Sequence, residues 1–202
     1  WEKYSNLLQE RDSENFKENL KIINIQIKQI GNLVNEFSDF ARMPKPTLRQ
    51  NNLVVLLKEN VKLLKELDNS IDIDLSINSE KIILNSDKEQ ISRVFLNLIK
   101  NSIESLQQRA ENDSNFSKKI TIELAENDNH ISLVIADNGI GFGKFSENIK
   151  DILNPYFTTK KNGTGLGLSI VNKIINDHNG KIEFIPIKDG AEIKINFVKK
   201  YE

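Results

Sequence analysis

The 202-residue chain contains no cysteine, which excludes disulfide bridges and thiolate metal sites and leaves a cytosolic address permitted but not established. No apolar run approaches the roughly 20 residues that a membrane-spanning helix needs, and no basic-then-apolar leader pattern opens the chain. Neither sign of charge dominates: 28 Lys and Arg stand against 29 Asp and Glu, and the basic residues are scattered among acidic ones. No stripe able to neutralise a nucleic-acid backbone is visible, so direct nucleic-acid binding is not expected. The phosphate-loop pattern G-x-x-x-x-G-K-[ST] is absent, and G-T-G-L-G-L (Gly163 to Leu168) lacks the third glycine and the preceding strand of a dinucleotide fold. What remains is an ordinary globular composition, 38% hydrophobic and 28% charged, over a length that allows one or two domains. The chain opens at Trp1 rather than Met, and the expectation is a fragment or processed product whose parent has room for a membrane segment upstream.

From Phe16, apolar residues fall at Leu20, Ile23, Ile27, Ile30, Val34, Phe37 and Ala41, alternately four and three residues apart. This heptad seam predicts a helix with one stripe facing a partner helix, capped by Asp12 or Ser13. Ile22, Ile25, Leu33 and Phe40 widen the stripe toward that of a four-helix bundle. The competing reading is a single helix packed on its own globular domain. Pro44 and Pro46 then stop the helix and start a stiff extended connector, as a domain boundary would. Domains are therefore expected at residues 1–43 and 53–202, with a proline-containing linker at 44–52.

Beyond the linker, Leu53 to Leu67 reads as a helix capped by Asn51 or Asn52, followed by strands at Ile71 to Ile77 and Ile82 to Leu84. Asp87 with Gln90 three residues on forms a capping box for a helix through Leu106. Further strands are expected at Ile120 to Leu124, Ile131 to Ala136, Lys181 to Ile185 and Ala191 to Val198, with a helix from Gly165 to Asp177 ended by Asn179 and Gly180. The fold class is α+β: an α/β sandwich with helices on one face of a mixed, mostly antiparallel sheet, preceded by the long amphipathic helix.

Four separated signatures stand in order along this second region: N-L-I-K-N (Asn97 to Asn101), D-N-G-I-G-F-G (Asp137 to Gly143), P-Y-F-T-T-K (Pro155 to Lys160) and G-T-G-L-G-L. Asn97 and Asn101 are one helical turn apart and share a face. Asp137 ends an apolar strand. Gly163, Gly165 and Gly167 precede or open a helix, where backbone N–H groups and the positive dipole end favour phosphate. The ordered set resembles the ATP-binding domain shared by sensor histidine kinases, the Hsp90 chaperone, type II topoisomerases and MutL. E-F-S-D-F-A-R-M-P-K-P (Glu36 to Pro46) resembles the end of the second dimerisation helix of nitrogen-regulation sensor kinases of the NtrY type.

The resemblance implies ATP and Mg²⁺ as cofactors. Asn101 is then the magnesium ligand with Asn97 assisting, since a neutral carbonyl oxygen suits a cation already surrounded by phosphate oxygens and water. Asp137 would accept the adenine amino group, while Gly139 and Gly141 let the backbone approach the purine. Gly163, Thr164, Gly165, Leu166, Gly167 and Leu168 would hold the phosphates, helped by the charge of Lys160 and, less clearly, Lys161. Residues 143–163 would form a mobile lid. The implied partners are a second copy of the chain through Phe16 to Ala41 and a response-regulator receiver domain, with a cytoplasmic location and an inner-membrane anchor in the parent protein.

Three departures from the pattern matter. Glu104 stands where many histidine kinases have a basic residue, and no H-E-I-K-N-P-like acceptor stretch exists; His130 and His178 are expected to be surface residues. Hydrolytic relatives carry a water-orienting glutamate where this chain has Asn97, and asparagine cannot act as that base. The expectation is a protein histidine kinase fragment acting on a histidine supplied elsewhere. The alternatives are a hydrolytic ATPase module and a non-catalytic nucleotide-binding dimerisation module.

Overall fold

The computed structural model describes residues 2–66, 68–113, 115–142, 149–158, 160 and 163–199, with side chains from residue 15 onward apart from 32, 39, 149 and 150. The chain divides into two units: Trp1–Met43 with Thr158–Thr164, and Pro44–Phe157 with Gly165–Glu202.

The first unit is dominated by helix α1 (Glu2–Ala41), about 60 Å long at 1.5 Å per residue. It begins well before the expected cap, so neither Asp12 nor Ser13 starts it. Residues 2–15 hold no Gly or Pro, and Glu, Lys, Leu, Gln and Arg among them are good helix formers that carry the helix past the heptad pattern; the side chains of Asp12 and Ser13 lie outside the described set. The seam is exposed along its described length, from Leu20 at 42% to Phe16 at 63%.

In the second unit, five strands form a sheet in the order β2 (Asp72–Ile77), β4 (Lys119–Glu126), β5 (His130–Asp137), β7 (Gly190–Val198) and β6 (Gly180–Ile187). Only β2 and β4 run parallel; the other neighbours are antiparallel. Alternation places Ile120, Ile122 and Leu124 of β4, Ile131, Leu133 and Ile135 of β5, and Ile193, Ile195 and Phe197 of β7 in the core. Their polar neighbours face the other way, as in an antiparallel sheet covered on one side.

The cover is three helices: α2 (Leu53–Lys65), α3 (Lys88–Ala110) and α4 (Gly167–Asp177). Helix α3 packs on α2, α4 and β5, and α4 packs on β6. Its buried stripe of Ile91, Val94, Phe95, Leu98, Ile99, Ser102 and Leu106 follows the helical period. Helix α3 outlasts the expected end at Leu106 because Gln107 to Ala110 are good helix formers that need no buried face.

Two short segments depart from expectation. Arg49–Asn52, read as linker, forms strand β1 and pairs antiparallel with β3 (Ile83–Ser86) in a separate two-stranded sheet. Asn52 is the joint: its Oδ1 accepts from Val54 N at 3.0 Å as the α2 cap and from Ile82 N at 3.3 Å. A 3-10 turn at Ile149–Leu153 was not legible either. Leu67, the expected end of α2, lies outside the described residues, as do 143–148, 159, 161 and 162 of the expected lid.

The capping box at α3 forms by half. Asp87 Oδ1 accepts from Glu89 N and Gln90 N, both at 3.1 Å, but the Gln90 amide donates to Pro44 O at 3.0 Å instead of reaching back. The Asp87 N–H donates to His178 Nε2 at 2.9 Å. His178 is therefore not a surface residue: it is 6% exposed at the end of α4, with Nδ1 bonded to Ile174 O at 2.7 Å. His130 is half-buried at the start of β5, its amide donating to Asn127 Oδ1 at 2.8 Å.

Candidate functional site

Strand β5 delivers Asp137 to the end of the sheet, where its side chain is buried at 8% exposure. The chain then turns sharply. Asp137 Oδ1 accepts from Gly139 N at 2.9 Å and from Ser105 Oγ at 3.2 Å, and Ser105 Oγ accepts from Ile140 N at 3.1 Å. Asn138 pins the turn to the start of β4, accepting from Lys119 N at 2.8 Å through Oδ1 and donating to Ser117 O at 2.8 Å through Nδ2. Glycine is required here by close approach: a Cβ on Gly139 would lie 2.1 Å from Ser105 Oγ and 2.8 Å from the Ser105 backbone carbon. Gly141, at φ +66, faces the carbonyl of Gly190 in the β6–β7 turn.

Helix α3 runs beneath this turn and presents Asn97, Asn101, Ser105 and Arg109 at four-residue intervals, hence along one ridge. Asn97 is half-buried, and its Nδ2 donates to Arg93 O at 2.9 Å. Because a backbone carbonyl can only accept, that bond turns Asn97 Oδ1 outward, where it would sit 3.2 Å from a Cβ on Gly167 at the start of α4. Asn101 is half-buried one turn further on. Glu104 makes a 3.9 Å ion pair with Lys100.

The start of α4 is shaped by Gly165 at φ +70, which keeps it out of the helix and moves the first helical residue to Gly167. A Cβ on Gly165 would lie 2.4 Å from the Tyr156 carbonyl carbon, and Tyr156 N donates to Gly165 O at 3.1 Å. The cap residue is Leu166, whose side chain is fully buried and offers no capping oxygen. The first-turn N–H groups of α4 are thus left without a side-chain cap, the arrangement that favours an anion. Leu168 is half-buried.

Lys160, Gly163 and Thr164 belong to the unit of α1. Thr158 Oγ1 accepts from Lys160 N at 3.1 Å, and Gly163 N donates to Lys160 O at 3.2 Å. The Thr164 hydroxyl donates to the Glu36 carboxylate on α1. Lys161 lies outside the described residues.

The structure therefore brings Asn97, Asn101, Asp137, Gly139 and Gly141 together with the opening of α4 around one ridge of α3. Sequence reasoning missed Ser105, Arg109 and Gly190. Only Gly190 carried a signal, as the Asp189-Gly190 pair between two alternating strands. Among the described residues no cluster of three His, Asp or Glu side chains is placed to hold a metal ion. A divalent cation here would rely on amide and ligand oxygens, and the outward Oδ1 of Asn97 fits that donor set.

Comparison with known proteins follows the same lines. The profile of the family described as "Histidine kinase-, DNA gyrase B-, and HSP90-like ATPase" matches residues 86–201. A "Putative sensor histidine kinase NtrY-like" of Rickettsia conorii is 36% identical over 197 residues, covering 96% of this chain and 31% of that protein. The chain thus spans about a third of its relative's length. Among solved structures, the catalytic domain of histidine kinase ThkA, nucleotide free, superposes with a TM-score of 0.64 at 29% identity, over 75% of this chain and 95% of that one. Histidine kinase ThkA in complex with response regulator protein TrrA has the same fold, with a TM-score of 0.71 at 24% identity over 89% of this chain and 50% of that chain.

Proposed function

This chain belongs to the histidine kinase-, DNA gyrase B- and HSP90-like ATPase family, and from that membership we propose that it is the ATP-binding catalytic part of a sensor histidine kinase of the NtrY-like type. It delivers the γ-phosphoryl group of ATP to a histidine carried on another segment, for relay to a response-regulator aspartate. The observation that carries the reading is the α3 ridge. Asn97 at one end faces the uncapped start of α4, and Ser105, about 12 Å further along, holds Asp137. On this reading, a phosphate end and a base end share one rigid element.

In this reading Asp137 accepts the adenine amino group from a buried position, beside a turn kept narrow by Gly139 and Gly141. Gly165, Leu166, Gly167 and Leu168 supply backbone N–H groups to the phosphates, Leu166 by its backbone alone. By their sequence pattern alone, Lys160, Gly163 and Thr164 are read as further phosphate-binding residues. Asn101, with Asn97, would hold Mg²⁺, which when bound would draw charge from the transferring phosphoryl oxygens. Because Asn97 has no basic oxygen to activate water, transfer to an incoming imidazole is favoured over hydrolysis.

Residues 1–43 act as the second helix of a dimerisation hairpin and 53–202 as the catalytic domain, with 44–52 between them, the last four of which form strand β1 against β3. The exposed seam from Phe16 to Ala41 supports a homodimer, since each large apolar side chain buried there would contribute roughly 1.5–3 kcal/mol. The kinase–regulator complex of ThkA supports a response-regulator partner. The NtrY-like name of the Rickettsia relative supports a role in nitrogen regulation, and the reading extends to a parent anchored in the inner membrane. Among the described residues no helix is long and apolar enough to cross a membrane.

The test joins binding to transfer. Calorimetry with Mg-ATP should show binding that Asp137→Ala weakens by roughly 10- to 150-fold, the loss expected for a buried, charged hydrogen bond. Labelled ATP should leave the chain itself unlabelled and label an acceptor-helix polypeptide added in trans. Fast ATP hydrolysis without transfer would favour the hydrolytic module, and binding without either would favour a non-catalytic module.

A further inference from the structure

We infer that Arg109 is a positioning residue for base recognition, holding the Asp137 carboxylate in place through two peptide planes. The inference rests on the reading of Asp137 as the adenine acceptor. Arg109 Nη1 donates to Asn138 O at 2.8 Å and to Gly139 O at 3.2 Å. Each of these carbonyls shares a rigid, planar peptide unit with the next amide. The Asn138 carbonyl is the far end of the peptide whose N–H, on Gly139, donates to Asp137 Oδ1. The Gly139 carbonyl is the far end of the peptide whose N–H, on Ile140, donates to Ser105 Oγ, which in turn donates to Asp137 Oδ1. Arg109 therefore grips the carbonyl ends of the two planes whose amide ends hold Asp137, one directly and one through Ser105.

A glycine between the two planes makes this grip necessary. Gly139 can exchange backbone conformations at little steric cost, so peptide rotation is the natural failure of this turn. Rotation of either plane would withdraw its amide from the Asp137–Ser105 pair and swing the carbonyl away from α3. The guanidinium is itself fixed: it lies 4.7 Å from the centroid of the Phe116 ring, and its Nη2 is 3.7 Å from Asp189 Oδ1 in the β6–β7 turn. Stacking on one face leaves Nη1 directed at both carbonyls and Nη2 at Asp189, a division of donors across the planar fork that a single lysine ammonium cannot reproduce.

The experiment compares Arg109→Met and Arg109→Lys with the full chain by calorimetry against Mg-ATP and by amide hydrogen exchange. The methionine variant should weaken ATP about ten-fold and raise exchange at Gly139 and Ile140 while the β4–β5–β7 ladder stays protected. Lysine, which keeps the charge but not the fork, should fall between, and it carries the test if the methionine variant does not fold. A folded variant with unchanged ATP affinity overturns the inference, as does a loss of affinity with exchange rising across the whole sheet. Absence of ATP binding by the unsubstituted chain would instead sink the functional reading, and the inference with it.

Discussion

Replacing His178 with alanine tests whether the buried joint between α4 and α3 carries stability rather than phosphate. The imidazole is 6% exposed and uses both nitrogens: Nδ1 donates to Ile174 O at 2.7 Å, and Nε2 accepts from Asp87 N at 2.9 Å. Since a carbonyl can only accept and an amide can only donate, one neutral tautomer satisfies both. Alanine removes two hydrogen bonds worth about 1 kcal/mol each and strands the Asp87 N–H and some buried volume, for a total of about 3 kcal/mol. In a unit of this size that corresponds to a melting temperature lower by roughly 6–12 °C. Calorimetric unfolding of the full chain supplies the first readout. Labelling of an added acceptor helix, measured well below the new transition, supplies the second and should be retained. A melting temperature within about 2 °C of the unsubstituted chain would refute the joint. Acid-labile label on this chain that disappears in His178→Ala would show that the residue is an acceptor after all.

Three further outcomes are expected. The carboxyl of Asp68 is lowered to about 2 by the Ser70 hydroxyl at 2.6 Å and the Ser70 amide at 2.9 Å, with burial opposing and Lys118 at 3.2 Å assisting. A folded-state value below the ordinary 3.8 adds stability that is full above the unfolded value and lost as pH falls toward 2. Asp68→Asn should therefore cost on the order of 1–2 kcal/mol at neutral pH by urea unfolding, a gap that closes between about pH 4 and pH 2; a constant gap would contradict the assignment. Gly190→Ala should cost at least about 3 kcal/mol and weaken ATP, because at φ +123 its Cβ would sit 1.7 Å from the Asp137 carbonyl oxygen. Gly31→Ala on α1, with nothing within 4 Å of its Cβ, should instead raise helix stability by up to about 1 kcal/mol.

Periodicity and local chemistry were enough to read most of the architecture. Alternation in β4, β5 and β7, the Asn52 and Asp87 caps, and the stripe of α3 each depend on residues a few positions apart, and each stands close to where the sequence put it. The same holds for the turn after Asp137, whose glycines announce a close backbone approach. What the sequence could not show was which distant group meets each local donor. Asp87 and Gln90 promised a reciprocal cap, yet the amides involved went to His178 and Pro44, 91 and 46 residues away along the chain. Arg109 reads as an ordinary polar residue near a helix end until the strand order brings Asn138 and Gly139 above it. Strand β1 has no apolar alternation and exists only because β3 lies alongside. Local patterns fix backbone geometry through steric and hydrogen-bonding rules that act over a few residues. The pairing of buried polar groups depends on which elements the topology makes neighbours, and only the folded chain decides that.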